Sequence, residues 1–247
     1  MQQKNNKGYI DIHSHILPGV DDGASSMEET IEMLKIAYSE GVRTLVATPH
    51  NHPDMKYDNQ RVQDTYEAVK EEAKKLYDDL ELILGNEIYY HDDVVSELKS
   101  SNALTLGDTS YVLVEFDIMI EFSKMYKAIR RLIEARYRPI IAHVERYECL
   151  YKQYVRAQEL VELGACIQMN SSSIIGGIFD ARATYCRTLI EKKLVHFLGS
   201  DCHNLTTRPP QMERSIRVLR KKIDPAIVEK LTVLNGERLL GNRYVES

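Results

Sequence analysis

The sequence predicts an α/β protein whose parallel strands and crossover helices close into a barrel, and three observations carry that expectation. Short apolar runs alternate with stretches of helical periodicity about seven times along the 247 residues. His, Asp or Glu stands at or just past the end of most of these runs. No segment rich in Gly, Pro or Ser divides the chain, so 1–247 reads as one domain, with 1–8 a polar, flexible tail.

The candidate strands are 9–13, 44–47, 80–84, 111–116, 139–143, 165–169 and 195–199. The sixth is the least distinctive, because a buried helix end could leave the same short apolar run. Between the first two, Met27, Ile31, Leu34 and Tyr38 recur at helical spacing behind a capping box from Ser25 to Glu28, and Gly41 stops the run. Val62, Tyr66, Val69, Ala73 and Leu76 form a second helical stripe, and Phe122, Met125, Ile129 and Leu132 a third. Further helices are expected over 153–163, 180–193 and 211–221, with Pro225 opening a last one.

Composition excludes several classes of function. A net charge of −5, with Lys and Arg interspersed among Asp and Glu, offers no basic stripe for nucleic acid. No apolar run approaches the roughly 18 residues that span a bilayer, and 1–8 lacks the apolar core of a secretory signal, so a soluble, cytoplasmic protein without membrane insertion is expected. Cys149, Cys166, Cys186 and Cys202 have no paired spacing and predict neither a zinc knuckle nor a disulfide framework.

The chemistry is concentrated at strand ends. His13 and His15 close the first run, and in extended backbone residues two apart point the same way, so both imidazoles can reach one cation. Asp21 and Asp22 lie in the loop beyond. His50, Glu87, Glu115, His143, Asp201 and His203 stand at or just past the ends of five later runs. In a parallel β/α barrel the carboxyl ends of the strands share one face, and five of the eight histidines would gather there. Imidazoles and carboxylates without thiolates favour Mn²⁺, Fe²⁺ or Zn²⁺ over Ca²⁺ or an iron–sulfur cluster. His52, His91 and His196 stay outside this set: a loop residue near substrate, an exposed residue and a structural strand residue respectively.

Six ordered segments carry a resemblance: Asp11-Ile12-His13-Ser14-His15, Val20-Asp21-Asp22-Gly23, Ala47-Thr48-Pro49-His50, Gly85-Asn86-Glu87-Ile88, Ile141-Ala142-His143-Val144-Glu145-Arg146 and Ser200-Asp201-Cys202-His203-Asn204. Together they resemble the PHP (polymerase and histidinol phosphatase) superfamily, and within it the bacterial metal-dependent protein-tyrosine phosphatases of the CpsB/YwqE type from capsule and exopolysaccharide loci. The resemblance runs over nearly the whole chain and departs mainly at Val144, where many relatives carry Pro. It implies a distorted seven-stranded, TIM-like β/α barrel and three ions, usually manganese. By position, one ion would take His13, His15, Glu87 and Asp201; a second Glu87, Glu115 and His143; a third Asp22, His50 and His203. Arg146 and Arg208 match the phosphate-binding arginines. The implied partner is a phosphotyrosyl protein, in particular a bacterial tyrosine kinase controlling capsule or exopolysaccharide synthesis.

Charge bookkeeping suits that reading, since three divalent ions bring about six positive charges against four carboxylates and leave a surplus for a phosphate dianion. The expected nucleophile is a metal-bridging hydroxide, with the two guanidinium forks on the phosphoryl oxygens. Three alternatives stay open: another PHP phosphoesterase such as a histidinol phosphatase, an amidohydrolase, or a non-catalytic metal-binding kinase partner. Cys202 and Arg208 also satisfy the C-x5-R spacing of cysteine-dependent phosphatases. That match is read as coincidence, because the intervening loop has no glycine and Pro209-Pro210 follow the arginine.

Overall fold

The computed structural model describes residues 8–55, 57–177 and 179–246; of the expected tail 1–8, only Gly8 lies within the described residues. Nine strands are found among them: β1 (Tyr9–Ser14), β2 (Val42–Ala47), β3 (His50–Asn51), β4 (Glu81–Leu84), β5 (Glu87–Tyr89), β6 (Tyr111–Glu115), β7 (Arg138–Ile141), β8 (Cys166–Asn170) and β9 (Phe197–Gly199). All pair in parallel, in the orders β1-β2-β4 and β3-β5-β6-β7-β8-β9. Each of the seven expected runs is a strand, including the sixth. Two strands, β3 and β5, lie beyond the seven expected runs. Thr48-Pro49 separates β2 from β3, where Pro49 has no N–H to donate, and Gly85-Asn86 separates β4 from β5.

The sheet curls until β1 meets the end of β9. His15 N–H donates to Cys202 O at 2.9 Å and Asp201 N–H to His13 O at 2.8 Å, and Ser14 and Cys202 form a parallel bridge. A small inner apolar cluster, including Ile10, Ile12, Val46, Leu113, Ile140 and Phe197, fills the space the strands surround. A larger one packs the helices on the outside. The result is a curled, parallel mixed α/β architecture consistent with a TIM-like fold.

The crossover helices are α1 (Met27–Ser39), α2 (Asn59–Leu76), α3 (Val94–Lys99), α4 (Phe122–Glu134), α5 (Tyr154–Leu163) and α6 (Ala181–Glu191), and α7 (Glu213–Leu219) follows the last strand. The first cap differs by one residue from expectation. Ser26, not Ser25, accepts the Glu29 N–H, while the Glu29 carboxylate reaches back to Ser25 N–H at 2.9 Å. The short α3 was not foreseen, its six residues being too few to show a period. Asp224 caps α8 (Pro225–Glu229), with Pro225 in the first turn as expected. A π-helical turn, Lys230–Leu234, then leads into α9 (Asn235–Leu240). Leu239 of α9 joins the inner cluster beside Ile10 and Tyr111, at the end of the strands remote from the histidines.

Candidate metal centre

The register of β1 with β2 shifts between Asp11 and Ser14. Ile12 belongs to the inner apolar cluster, while His13 Nδ1 lies 3.3 Å from Gln168 Oε1 of β8, a strand that is not its neighbour in the sheet. Gly199 of β9 permits that crossing, because a Cβ there would stand 2.7 Å from the His13 Cβ and 2.8 Å from Gln168 Nε2. Gly23 serves the next turn in the same way: a Cβ would lie 2.1 Å from His15 O, which accepts the Ala24 N–H.

All nine acidic and imidazole residues singled out from the sequence converge. His13 Nε2 and His15 Nε2 lie 3.2 Å apart, each 3.2 Å from Glu87 Oε2 and 3.4 and 3.5 Å from Asp201 Oδ1. His143 Nε2 lies 2.8 Å from Glu87 Oε1 and 3.3 Å from Glu115 Oε1. Asp22 Oδ1 stands 3.4 Å from both His50 Nε2 and His203 Nε2, with His15 in the same group. His50 also turns Nδ1 to Glu87 Oε2 at 3.1 Å, so it touches two groups where the sequence assigned it one.

These spacings fit divalent ions. Donors about 2.1 Å from a common ion stand roughly 3.0 to 3.4 Å apart in octahedral or tetrahedral array, and most of the separations here lie near that range. A second sign is an orphaned nitrogen. His203 Nδ1 lies 3.0 Å from Asp201 O, the geometry of an N–H donated to that carbonyl, and buried Nε2 is left without a hydrogen-bond partner. Nitrogen and oxygen donors without a thiolate match the metals expected from the sequence.

Two of these residues hold left-handed backbone, His143 at φ 31° and Asp201 at φ 53°. Non-glycine residues adopt such φ values at a cost of about 1 to 3 kcal/mol, and strain of this kind clusters at functional sites. Here the neighbours fix it: His143 N–H donates to Gln168 Oε1 at 2.6 Å and Asp201 N–H to His13 O.

Within the cluster the protein groups shift one another's titration. Burial opposes charge on Glu87, but His13, His143 and His15 outweigh it and hold the carboxyl well below its usual range. Burial likewise disfavours protonated His15 and His143. Asp21 and Glu87 nonetheless hold His15 well above its ordinary value, and Glu115 and Glu87 bring His143 to about 9. The His203 imidazole beside it keeps Asp22 low. Burial pushes His50 down, only partly opposed by Glu87.

Arg146 and Arg208 both reach Asp201 Oδ2, at 2.5 and 2.6 Å, and Asn170 Nδ2 donates to the same oxygen at 2.6 Å. Sequence reasoning left out Asn170, Gln168 and the positioning role of Asp21. Gln168 and Asn170 did leave a signal: two amides at period two inside an apolar strand. Of the remaining histidines, His196 is structural as expected, its buried Nδ1 accepting the Ile167 N–H at 3.1 Å. His52 packs against Tyr89 at a tilt of 52°, ring centroids 4.2 Å apart. His91 is half-buried rather than exposed, 3.3 Å from Glu97. Cys202 is fully buried in the outer apolar cluster, where desolvation raises its thiol far above the ordinary range. That environment opposes a thiolate nucleophile.

Fold and cluster together define a parallel β/α protein with a candidate multinuclear metal centre at the carboxyl ends of its strands. The family profile for capsular polysaccharide synthesis, CpsB/CapC, matches residues 9–241, and the chain belongs to this family. Among similar proteins, the tyrosine-protein phosphatase CpsB of Streptococcus pneumoniae is 33% identical over 242 residues, covering 96% of this chain and 100% of that protein. The tyrosine-protein phosphatase YwqE of Bacillus subtilis is 34% identical over 239 residues, covering 96% and 93%. A solved structure from work on Bacillus subtilis YwqE and Streptococcus pneumoniae CpsB, described as unique metal-dependent tyrosine phosphatases, superposes with a TM-score of 0.88 at 33% identity over 96% of each chain. An amidohydrolase from Mycoplasma synoviae shares the fold alone, with a TM-score of 0.61 at 14% identity over 95% of this chain and 88% of the other.

Proposed function

We propose that this chain is a metal-dependent tyrosine-protein phosphatase, a single catalytic domain acting in the cytoplasm on a phosphotyrosyl protein, in particular a bacterial tyrosine kinase that controls capsule or exopolysaccharide synthesis. The observation that carries the reading is the juxtaposition of nine metal-type residues, eight in three close groups and His143 against Glu87 and Glu115, with the two guanidinium groups of Arg146 and Arg208. We read the divided courses β2/β3 and β4/β5 as single strands, which gives a distorted seven-stranded barrel.

In this proposal His13, His15, Glu87 and Asp201 hold one ion, Glu87, Glu115 and His143 a second, and Asp22, His50 and His203 a third, with manganese the expected metal. When bound, such ions supply Lewis-acid polarisation of the phosphoryl group and an ionised water at neutral pH. The protein's own share is binding and orientation. The Arg146 and Arg208 side chains are partly exposed, and both guanidinium groups rest on one carboxylate oxygen. An arriving phosphate dianion competes with that oxygen for both forks and gains directional donors as charge builds on its equatorial oxygens. Asn170 keeps Asp201 oriented while the arginines exchange partners. A phenolate of pKa about 10 leaves more easily than an alkoxide, so the reaction needs less help from a proton donor.

Steady-state hydrolysis of a phosphotyrosyl peptide against histidinol phosphate tests the assignment. Activity on the peptide that disappears with chelator and returns with Mn²⁺ is the expected result. A preference of orders of magnitude for histidinol phosphate would reassign the chain within its superfamily, and absence of hydrolysis with metal retained would leave a binding role.

A further inference from the structure

Beyond the candidate metal centre, exposed apolar side chains are concentrated on the loops at the same end of the strands. Among the described residues eight large hydrophobic side chains are exposed, and five of them, Met55, Ile118, Met119, Phe179 and Leu205, lie in loops that leave the carboxyl ends of strands. Three of these loops carry the site itself. Leu205 follows His203 by two residues, Ile118 and Met119 follow Glu115 by three and four, and Met55 follows His50 by five. The other three exposed hydrophobics, Val155, Leu234 and Tyr244, lie on α5 or near the C-terminal helices. Phe179 is 95% exposed and Met119 69%, so most of their apolar surface lies in water.

These loops are tied to the candidate phosphate-binding segment. Ile118 O accepts the Glu148 N–H at 3.1 Å, two residues past Arg146. Arg182, in the first turn of α6 just after Phe179, donates to Glu145 O at 3.2 Å. The backbone that carries Ile118, Met119 and Phe179 is thus tied to the segment that carries Arg146, and a chain whose phosphate is held by Arg146 would run past these loops.

We propose that these rim residues form the substrate-docking surface of the site, and that their occupant is an extended phosphotyrosyl segment with large apolar or aromatic side chains flanking the phosphotyrosine. The inference rests on the phosphatase reading above. Continuity with the site argues for this occupant, because the loops that carry His50, Glu115 and His203 also carry Met55, Ile118, Met119 and Leu205, so a substrate seated at the ligands passes these side chains. Single exposed hydrophobics are ordinary, whereas clustering around a polar centre marks an interaction surface.

The experiment compares the manganese-loaded wild type with a triple variant, Ile118→Ser, Met119→Ser and Phe179→Ser, on three substrates. These are a phosphotyrosyl peptide flanked by Leu and Phe, the same peptide flanked by Ser and Gly, and p-nitrophenyl phosphate. The wild type should favour the apolar peptide, and the variant should lose about tenfold or more in kcat/KM on it, chiefly through KM. Hydrolysis of the small aryl phosphate should stay within about twofold. Equal losses on all three substrates, or no loss on the apolar peptide, would overturn the rim assignment. Absence of any hydrolysis by the loaded wild type would instead defeat the phosphatase reading, so the two failures are distinguishable. Phe179→Leu in place of Phe179→Ser should recover part of the loss on the apolar peptide and leave the Ser/Gly-flanked peptide and p-nitrophenyl phosphate unchanged, a split between substrates that a merely structural role for the loop would not produce.

Discussion

Asp21 Oδ2 lies 2.8 Å from His15 Nδ1 and also accepts the His50 N–H at 3.0 Å, while its Oδ1 accepts the Gly23 N–H at 2.9 Å. One carboxylate therefore fixes the tautomer of one candidate ligand, the backbone of another and the loop that presents Asp22. Imidazole ligands that donate their second N–H to a carboxylate are oriented and made more basic.

Replacing Asp21 by Asn leaves an acceptor for one of these donors and removes the charge. Manganese affinity should fall about 10- to 100-fold, measured by equilibrium titration against a competing chelator, with the circular dichroism spectrum unchanged. Unaltered affinity would show that His15 needs no such partner.

Glu87 carries a larger share. Its two oxygens lie 2.8 to 3.2 Å from His13, His15, His50 and His143, so in the proposed scheme it belongs to more than one ion. Glu87→Gln should lower the metal retained by roughly one ion or more per chain and cut turnover by about 10²-fold or more. Full metal content by elemental analysis would refute the bridging role.

The C-x5-R match is decided by burial. Cys202 presents no surface and its thiol is held in the neutral form. Cys202→Ala should keep turnover within about twofold and lower stability by about 1 kcal/mol through the small void it leaves. Loss of activity with metals retained would restore the thiolate mechanism.

The contrast between Asp21 and Asp22 shows how far the sequence could be read. Strand ends carrying His, Asp or Glu were legible because period and chemistry coincide at His13, His15, Glu115 and His143. Parallel topology then supplied the convergence. Two acids side by side in one loop, however, differ only in which way the backbone turns, and that turn depends on Gly23 passing against His15 O. The divided strands escaped for a related reason: a two-residue break at Thr48-Pro49 or Gly85-Asn86 is shorter than any periodic window. Gln168 and Asn170 were visible as polar interruptions of an apolar run, but their partners lie on other strands, so only the folded arrangement explains them.

His196 gives a pH prediction that does not involve the metal groups. Buried beside β8, it accepts the Ile167 N–H through Nδ1, and desolvation, aided by the Lys230 charge, lowers it to about 4. An unfolded chain would titrate it near its ordinary value of about 6.5. Between those values the unfolded state binds a proton that the folded state refuses, so stability is complete above about pH 6.5 and declines as pH falls toward 4. The full span amounts to roughly 3 kcal/mol. Asp11, which burial raises to about 6, titrates in the opposite sense over part of this window, because a carboxyl held high favours the folded state as pH falls. Wild type must therefore be compared with His196→Asn, whose side-chain oxygen can replace Nδ1 as acceptor and does not titrate. In urea unfolding of metal-free protein from pH 4 to pH 8, the stability difference between the two should shift steadily in favour of the variant as pH falls below about 6.5. A difference that stays constant across the range would mean that His196 charges without penalty, and the buried acceptor role assigned to it would be wrong.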